Sequence, residues 1–167
     1  MTSYIVALLA LTLTTPLAAQ VVKEAHCGDD GRAHITYADG TSQVASPQPQ
    51  QIGCDSLAIA DGGRDVGWSV LVENCCTSYP IPISVVIQEN GKQTVVSPGQ
   101  MVWKWHFVAK GDRIAVLRGP VHGWASAATL YETRSGKQIF SWNGMGAEPA
   151  WAEGWKQEFE PATDPAN

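Results

Sequence analysis

Charge is scarce in this chain and unevenly spread. Of 167 residues, 11 are Lys or Arg and 16 are Asp or Glu, for a formal net charge of −5, and the first charged side chain is Lys23. A mildly acidic chain without a Lys/Arg cluster repels phosphate backbones, which argues against a nucleic-acid partner. Catalytic signatures are missing too: there is no Gly-x-Ser-x-Gly, no His-Glu-x-x-His, no phosphate-cradling Gly loop and no Cys-x-x-Cys. Glu73 and Glu132 are scattered acids, and no spacing marks them as a catalytic carboxylate pair. No catalytic residue and no cofactor is expected. Helical periodicity of useful length is also absent from residues 56–142.

What precedes Lys23 is apolar. The run Ile5-Val-Ala-Leu-Leu-Ala-Leu-Thr-Leu13 is followed by Thr14-Thr-Pro-Leu-Ala-Ala19. An apolar stretch, a helix-breaking Pro and small residues predict a secretory leader over residues 1–19, cleaved near Ala19 or Gln20. Only the α-amino charge stands at its start, a departure from the usual basic n-region. The run falls short of the roughly 20 apolar residues a membrane span needs, so no membrane insertion is expected once the leader is removed. The expected location is periplasmic or secreted.

Four cysteines follow the leader: Cys27, Cys54, Cys75 and Cys76. In an exported chain an even count predicts two disulfides, with three possible connectivities. Each would add about 2–4 kcal/mol by restricting the unfolded chain.

The chain also repeats itself. Ala60-Asp-Gly-Gly-Arg-Asp-Val-Gly-Trp68 aligns with Val108-Ala-Lys-Gly-Asp-Arg-Ile-Ala-Val116, 48 residues later. Ser84–Val96 aligns with Thr129–Ser141, 45 residues later, each carrying a Gly-containing hairpin turn, Asn90-Gly91 or Ser135-Gly136. His34–Val44 has the same strand, Asp-Gly turn and strand, and is a partial third copy. Each full copy reads as four strands: Leu57–Ala60, Val66–Val72, Ile83–Gln88 and Gln93–Val96, then Val102–Val108, Arg113–Arg118, Ala127–Thr133 and Gln138–Trp142. The fold class is therefore all-β: two four-stranded antiparallel meanders (56–96 and 102–142, within 56–145) and a partial hairpin in the 20–46 segment.

Gly62-Gly-Arg-Asp-Val-Gly-Trp68 and Leu130-Tyr-Glu-Thr-Arg-Ser-Gly-Lys-Gln-Ile139 resemble blades of WD-type and TolB-like β-propellers. The likeness covers about residues 56–142 and implies a four-stranded meander; it implies no function, because propellers serve unrelated ends. A closed propeller typically takes at least four blades, and two and a half are too few. The copies must stack as a sandwich or pair with a second chain.

In the tail, residues 146–167, Trp151, Trp155 and Phe159 recur at intervals of four, predicting three rings on one face of a short helix that caps a sheet. Burying a large aromatic removes roughly 150–250 Å² from water, on the order of 4–6 kcal/mol as an upper figure.

Strand order places the tight turns at one end of the meanders and the long loops at the other. The long-loop rim gathers Asn74, Cys75, Cys76, Tyr79, His122 and Trp124, and long irregular loops are where binding residues collect. The leading expectation is that Cys75 and Cys76 are staples joined to Cys27 and Cys54. A vicinal Cys75–Cys76 bridge would instead be a strained, reducible ring. Metal ligation by His122, His106 and a thiolate is a further option. Against it, adjacent cysteines lack common zinc spacing, and His106 lies in an apolar strand where packing is its usual role; no metal is expected. Together these features predict a disulfide-stabilised binding or interaction module for an unspecified protein or glycan at the rim. The alternative is a thiol redox or metal-handling protein using Cys75, Cys76 and His122.

Overall fold

The computed structural model describes residues 20–159; the expected leader at 1–19 and the last tail residues, 160–167, lie outside the described residues. The described chain is all-β, with three antiparallel sheets of three, four and four strands, none of them closed. Sheet 1 comprises β1 (Val22–Cys27), β2 (Ala33–Tyr37) and β3 (Ser42–Val44). Sheet 2 comprises β4 (Gly53–Ile59), β5 (Asp65–Val72), β6 (Ile81–Glu89) and β7 (Lys92–Val96). Sheet 3 comprises β8 (Met101–Val108), β9 (Arg113–Gly119), β10 (Ala127–Glu132) and β11 (Gln138–Trp142). Spatial order follows chain order in each, so all three are meanders.

The eight expected strands of the two full copies are all present, with shifted ends. β4 begins four residues early, at Gly53, because Gly53 and Cys54 pair with Leu71 and Val70 of the long β5; a bulge before Ala58 then absorbs Ser56 at φ +50°. The partial copy gains a strand that its own residues do not announce. β1 exposes Lys23, Glu24 and His26 and buries Val22, so it lacks the clean alternation of a half-buried strand.

Side chains alternate across a pleated strand, and the central sheet uses both of its faces. Val66, Trp68, Val70, Val72 and Val86 pack with Val22, Ala33, Ile35 and Tyr37 of sheet 1. Val85, Ile87 and Val96 pack with Val102, Ile114, Val116 and Tyr131 of sheet 3. The other face of sheet 3, with Ala115, Leu117, Ala128 and Leu130, lies under the tail. The layers thus run sheet 1, sheet 2, sheet 3, tail. Sheet 1 turns its remaining face outward: on register, Glu24, His26, His34, Thr36, Ser42 and Val44 share it, and all are at least partly exposed.

Backbone approach sets the sheet spacing. A Cβ on Gly67 would stand 2.8 Å from the Trp105 ring, whose Nε1–H donates to Ser69 Oγ at 3.0 Å. The turn glycines aligned between the copies, Gly63 (φ +69°) and Gly111 (φ +98°), sit against the preceding sheet in each case. A Cβ on Gly63 would come within 2.7 Å of Val22 O; one on Gly111 would come within 2.8 Å of Ala60 and Asp65. The same turn therefore serves twice as an inter-sheet contact, which only glycine permits at that φ.

Two expectations need correction. Among the described residues the tail holds no α-helical turn: Ala150–Ala152 and Lys156–Glu158 are separate 3₁₀ turns, interrupted by Gly154 at φ +82°. Its rings still cap sheet 3, with Trp155 and Phe159 buried and Trp151 half-buried. A segment this short gains little from helix formation, so burial of the rings dictates its path. The cysteines also pair differently. Cys27 bonds to Cys54 with their Cα atoms 5.7 Å apart, while Cys75 and Cys76 are free and exposed. Residues 73–80 hang from the ends of β5 and β6, whereas Cys54 opens β4 opposite Val70, within reach of the end of β1.

Candidate functional site

The ladders of β5–β6 and β8–β9 close at Val72–Ile81 and Met101–Gly119. Loops 73–80, 97–100 and 120–126 therefore leave the same end of neighbouring sheets, joined there by the Cys27–Cys54 bridge of sheet 1 to sheet 2. Loop 73–80 is braced from within: Asn74 Nδ2 donates to Thr77 Oγ1 at 3.0 Å, and the Thr77 hydroxyl donates to Tyr79 O at 2.6 Å. Between these braces Cys75 Sγ and Cys76 Sγ lie 2.7 Å apart. The Cys76 thiol is pushed up, first by its hydrogen bond with Cys75 and then by the charge Cys75 carries when ionised.

Loop 120–126 is held at both ends. Trp103 Nε1–H donates to Pro120 O at 3.0 Å, and the Ala125 amide donates to Glu158 O in the tail at 2.9 Å. Its middle is left to solvent: His122 is exposed, and Trp124 is 49 % exposed, like Tyr79 at 51 %. An open depression of about 370 Å³, lined by Gln50, Ile52 and Glu73, lies at this end of sheet 2. Among the described residues no hydrogen bond joins loop 73–80 to loop 120–126, so Tyr79 and the cysteines share an end with His122 and Trp124 without being tied to them.

His106 does not join them. It faces the tail, where Nε2–H donates to Trp151 O at 3.0 Å and the ring stands edge-on to Trp155 at 4.9 Å. Burial pushes its imidazole below the usual value, partly offset by that carbonyl. Among the described residues no group of three or more His, Cys, Asp or Glu is placed to hold a metal ion. Glu73 and Glu132 lie at opposite ends of the molecule.

The tight-turn end holds a constellation that sequence reading passed over. Arg64 reaches Asp65 at 2.9 Å, Asp112 at 2.8 Å and Glu89 at 3.4 Å, and Arg134 reaches Glu89 at 3.3 Å. Asp65 is almost wholly buried, and that burial pushes its carboxyl up against the opposing pull of Arg64. A cavity of about 100 Å³ opens beside it, lined by Asp65, Glu89, Lys92 and Arg134 among others. Arg64 and Asp112 occupy the same position in the two aligned copies, one step after Gly63 and Gly111. Opposite charges at equivalent repeat positions were the available signal. The cluster sets two guanidiniums among three carboxyl groups and binds the turns of sheets 2 and 3 together. A second polar group, on sheet 1, is Asp30, whose carboxyl is lowered to about 2, mainly by the His34 ring at 3.0 Å; His34 in turn stacks on His26.

No protein-family model and no curated protein sequence matches this chain.

Proposed function

We propose that the protein is an exported binding module whose partner, a protein or a glycan, docks at the long-loop end through Tyr79 and Trp124. The observation that carries this reading is the pair of half-exposed rings on long loops at one end, the end at which the Gln50–Ile52–Glu73 depression also opens. Rigid aromatics give a large contact area at low entropic cost. The broad faces offer less: the tail covers sheet 3, and the free face of sheet 1 is mostly polar. Three stacked meanders, the second and third with their first turns against the preceding sheet, support kinship with propeller blades, arranged as an open stack. The apolar leader and the Cys27–Cys54 bridge support a periplasmic or secreted location.

The test is the double variant Tyr79→Ala/Trp124→Ala, assayed on a glycan panel and on proteins cross-linked to the wild type in the exported fraction. Binding should disappear while stability stays within about 1–2 kcal/mol of wild type, the usual span for loop changes. An unfolded variant would make the rings core. Normal binding by it, with binding lost in Asn90 and Ser135 variants, would move the site to the other end. A second reading, thiol chemistry at Cys75 and Cys76, is favoured by one observation: both are free, exposed and in contact.

A further inference from the structure

We propose that Cys75 and Cys76 close a reversible vicinal disulfide by exchange with a small-molecule disulfide, making loop 73–80 a two-electron thiol switch beside Tyr79. The inference rests on the thiol reading above and gives it a reaction and a co-reactant. The sulfurs are 2.7 Å apart, so a bond of about 2.05 Å needs less than an ångström of travel. No other cysteine competes, since Cys27 and Cys54 are bonded to each other and belong to the interface of sheets 1 and 2. A metal is not what this pair is built for, because no third His, Cys, Asp or Glu among the described residues joins it.

Both sulfurs are exposed, so RSSR reaches either one; in one sequence of events the Cys75 thiolate attacks first. It bonds to one sulfur of RSSR, the RS–SR bond breaks, and RS⁻ leaves and takes a proton from water. Cys76 then gives up its proton and attacks the Cys75 sulfur; the Cys75–SR bond breaks and the second RS⁻ leaves to be protonated. Two protein thiols have lost two electrons, and RSSR has become two RSH. A ring closed between adjacent residues is strained, and strained, exposed bridges are the readily reduced ones, so excess thiol reverses the step. Closure strains the segment between the Asn74–Thr77 and Thr77–Tyr79 hydrogen bonds, which couples the redox state to the Tyr79 ring.

The experiment equilibrates the mature wild-type protein in glutathione/glutathione-disulfide mixtures, quenches with acid, alkylates and reads peptide masses. The peptide carrying Cys75 and Cys76 should become lighter by two hydrogens, without a glutathione adduct, and revert in reducing mixtures while Cys27–Cys54 persists. Cys76→Ser should instead trap a lasting glutathione adduct on Cys75. Stable glutathione adducts on the wild type, covalent dimers, or exchange with Cys27 or Cys54 would overturn the switch. If neither thiol of the native protein reacts with a maleimide, the thiol reading itself falls together with it. If both react and no ring forms, the switch alone falls. The binding reading stands in either case.

Discussion

Asp65 is a carboxylate set where water barely reaches, and Arg64 is the side chain that keeps it tolerable. Breaking a buried pair leaves an uncompensated charge, at about 3–5 kcal/mol when both partners are fully buried. Arg64 is about a third exposed, at 34 %, so screening reduces the expected loss for Arg64→Met to about 1–3 kcal/mol. The pH dependence has a definite sign. Asp65 titrates above its unfolded value, so the folded state binds the extra proton. Its contribution is fully present below the unfolded carboxylate range of about 4 and is lost as pH rises through the folded value. Urea midpoints of Arg64→Met should therefore fall more steeply than wild type from acid towards neutral pH, and Asp65→Asn should flatten the wild-type slope. Parallel slopes for all three proteins would show that Asp65 does not titrate in the fold.

At the scale of elements, the β-meanders were legible and their edges were not. Short Val- and Ile-rich runs bounded by Asn90-Gly91 and Ser135-Gly136 specify hairpins locally, and β5–β7 and β9–β11 lie where those signals put them. β1 escaped because a strand that exposes Lys23, Glu24 and His26 is held by pairing with β2 rather than by its own pattern. The aromatic spacing of the tail foretold that Trp155 and Phe159 would cap a sheet, but Gly154 let them do so from 3₁₀ turns. Gly67 is the most exacting small residue of the stack, since Trp105 occupies the place of its Cβ. Gly67→Ala should cost about 1–3 kcal/mol through overpacking. The check is the denaturation midpoint together with near-UV dichroism of the displaced indole. A midpoint at or above that of wild type would mean that sheets 2 and 3 can part without penalty.

At the scale of the whole molecule, export is the prediction that needs no structure: the secreted product should begin near Gln20 or Val21. Recovery of a folded product that retains Met1 would refute it. The sequence by itself determined the strands of the two full copies, the doubled meander and the sorting of tight turns from long loops. Each is written in a few neighbouring residues, through period-two alternation and glycine at positive φ. The cysteine pairing, the Arg64–Asp112 bridge between equivalent turns, and the isolation of His106 from His122 were decided only by tertiary structure. Those depend on which sheet lies against which, and in what register. That choice is made by the combined burial of side chains such as Trp68, Trp105 and Trp155, each of which finds its packing partners only once its own pair of layers stacks.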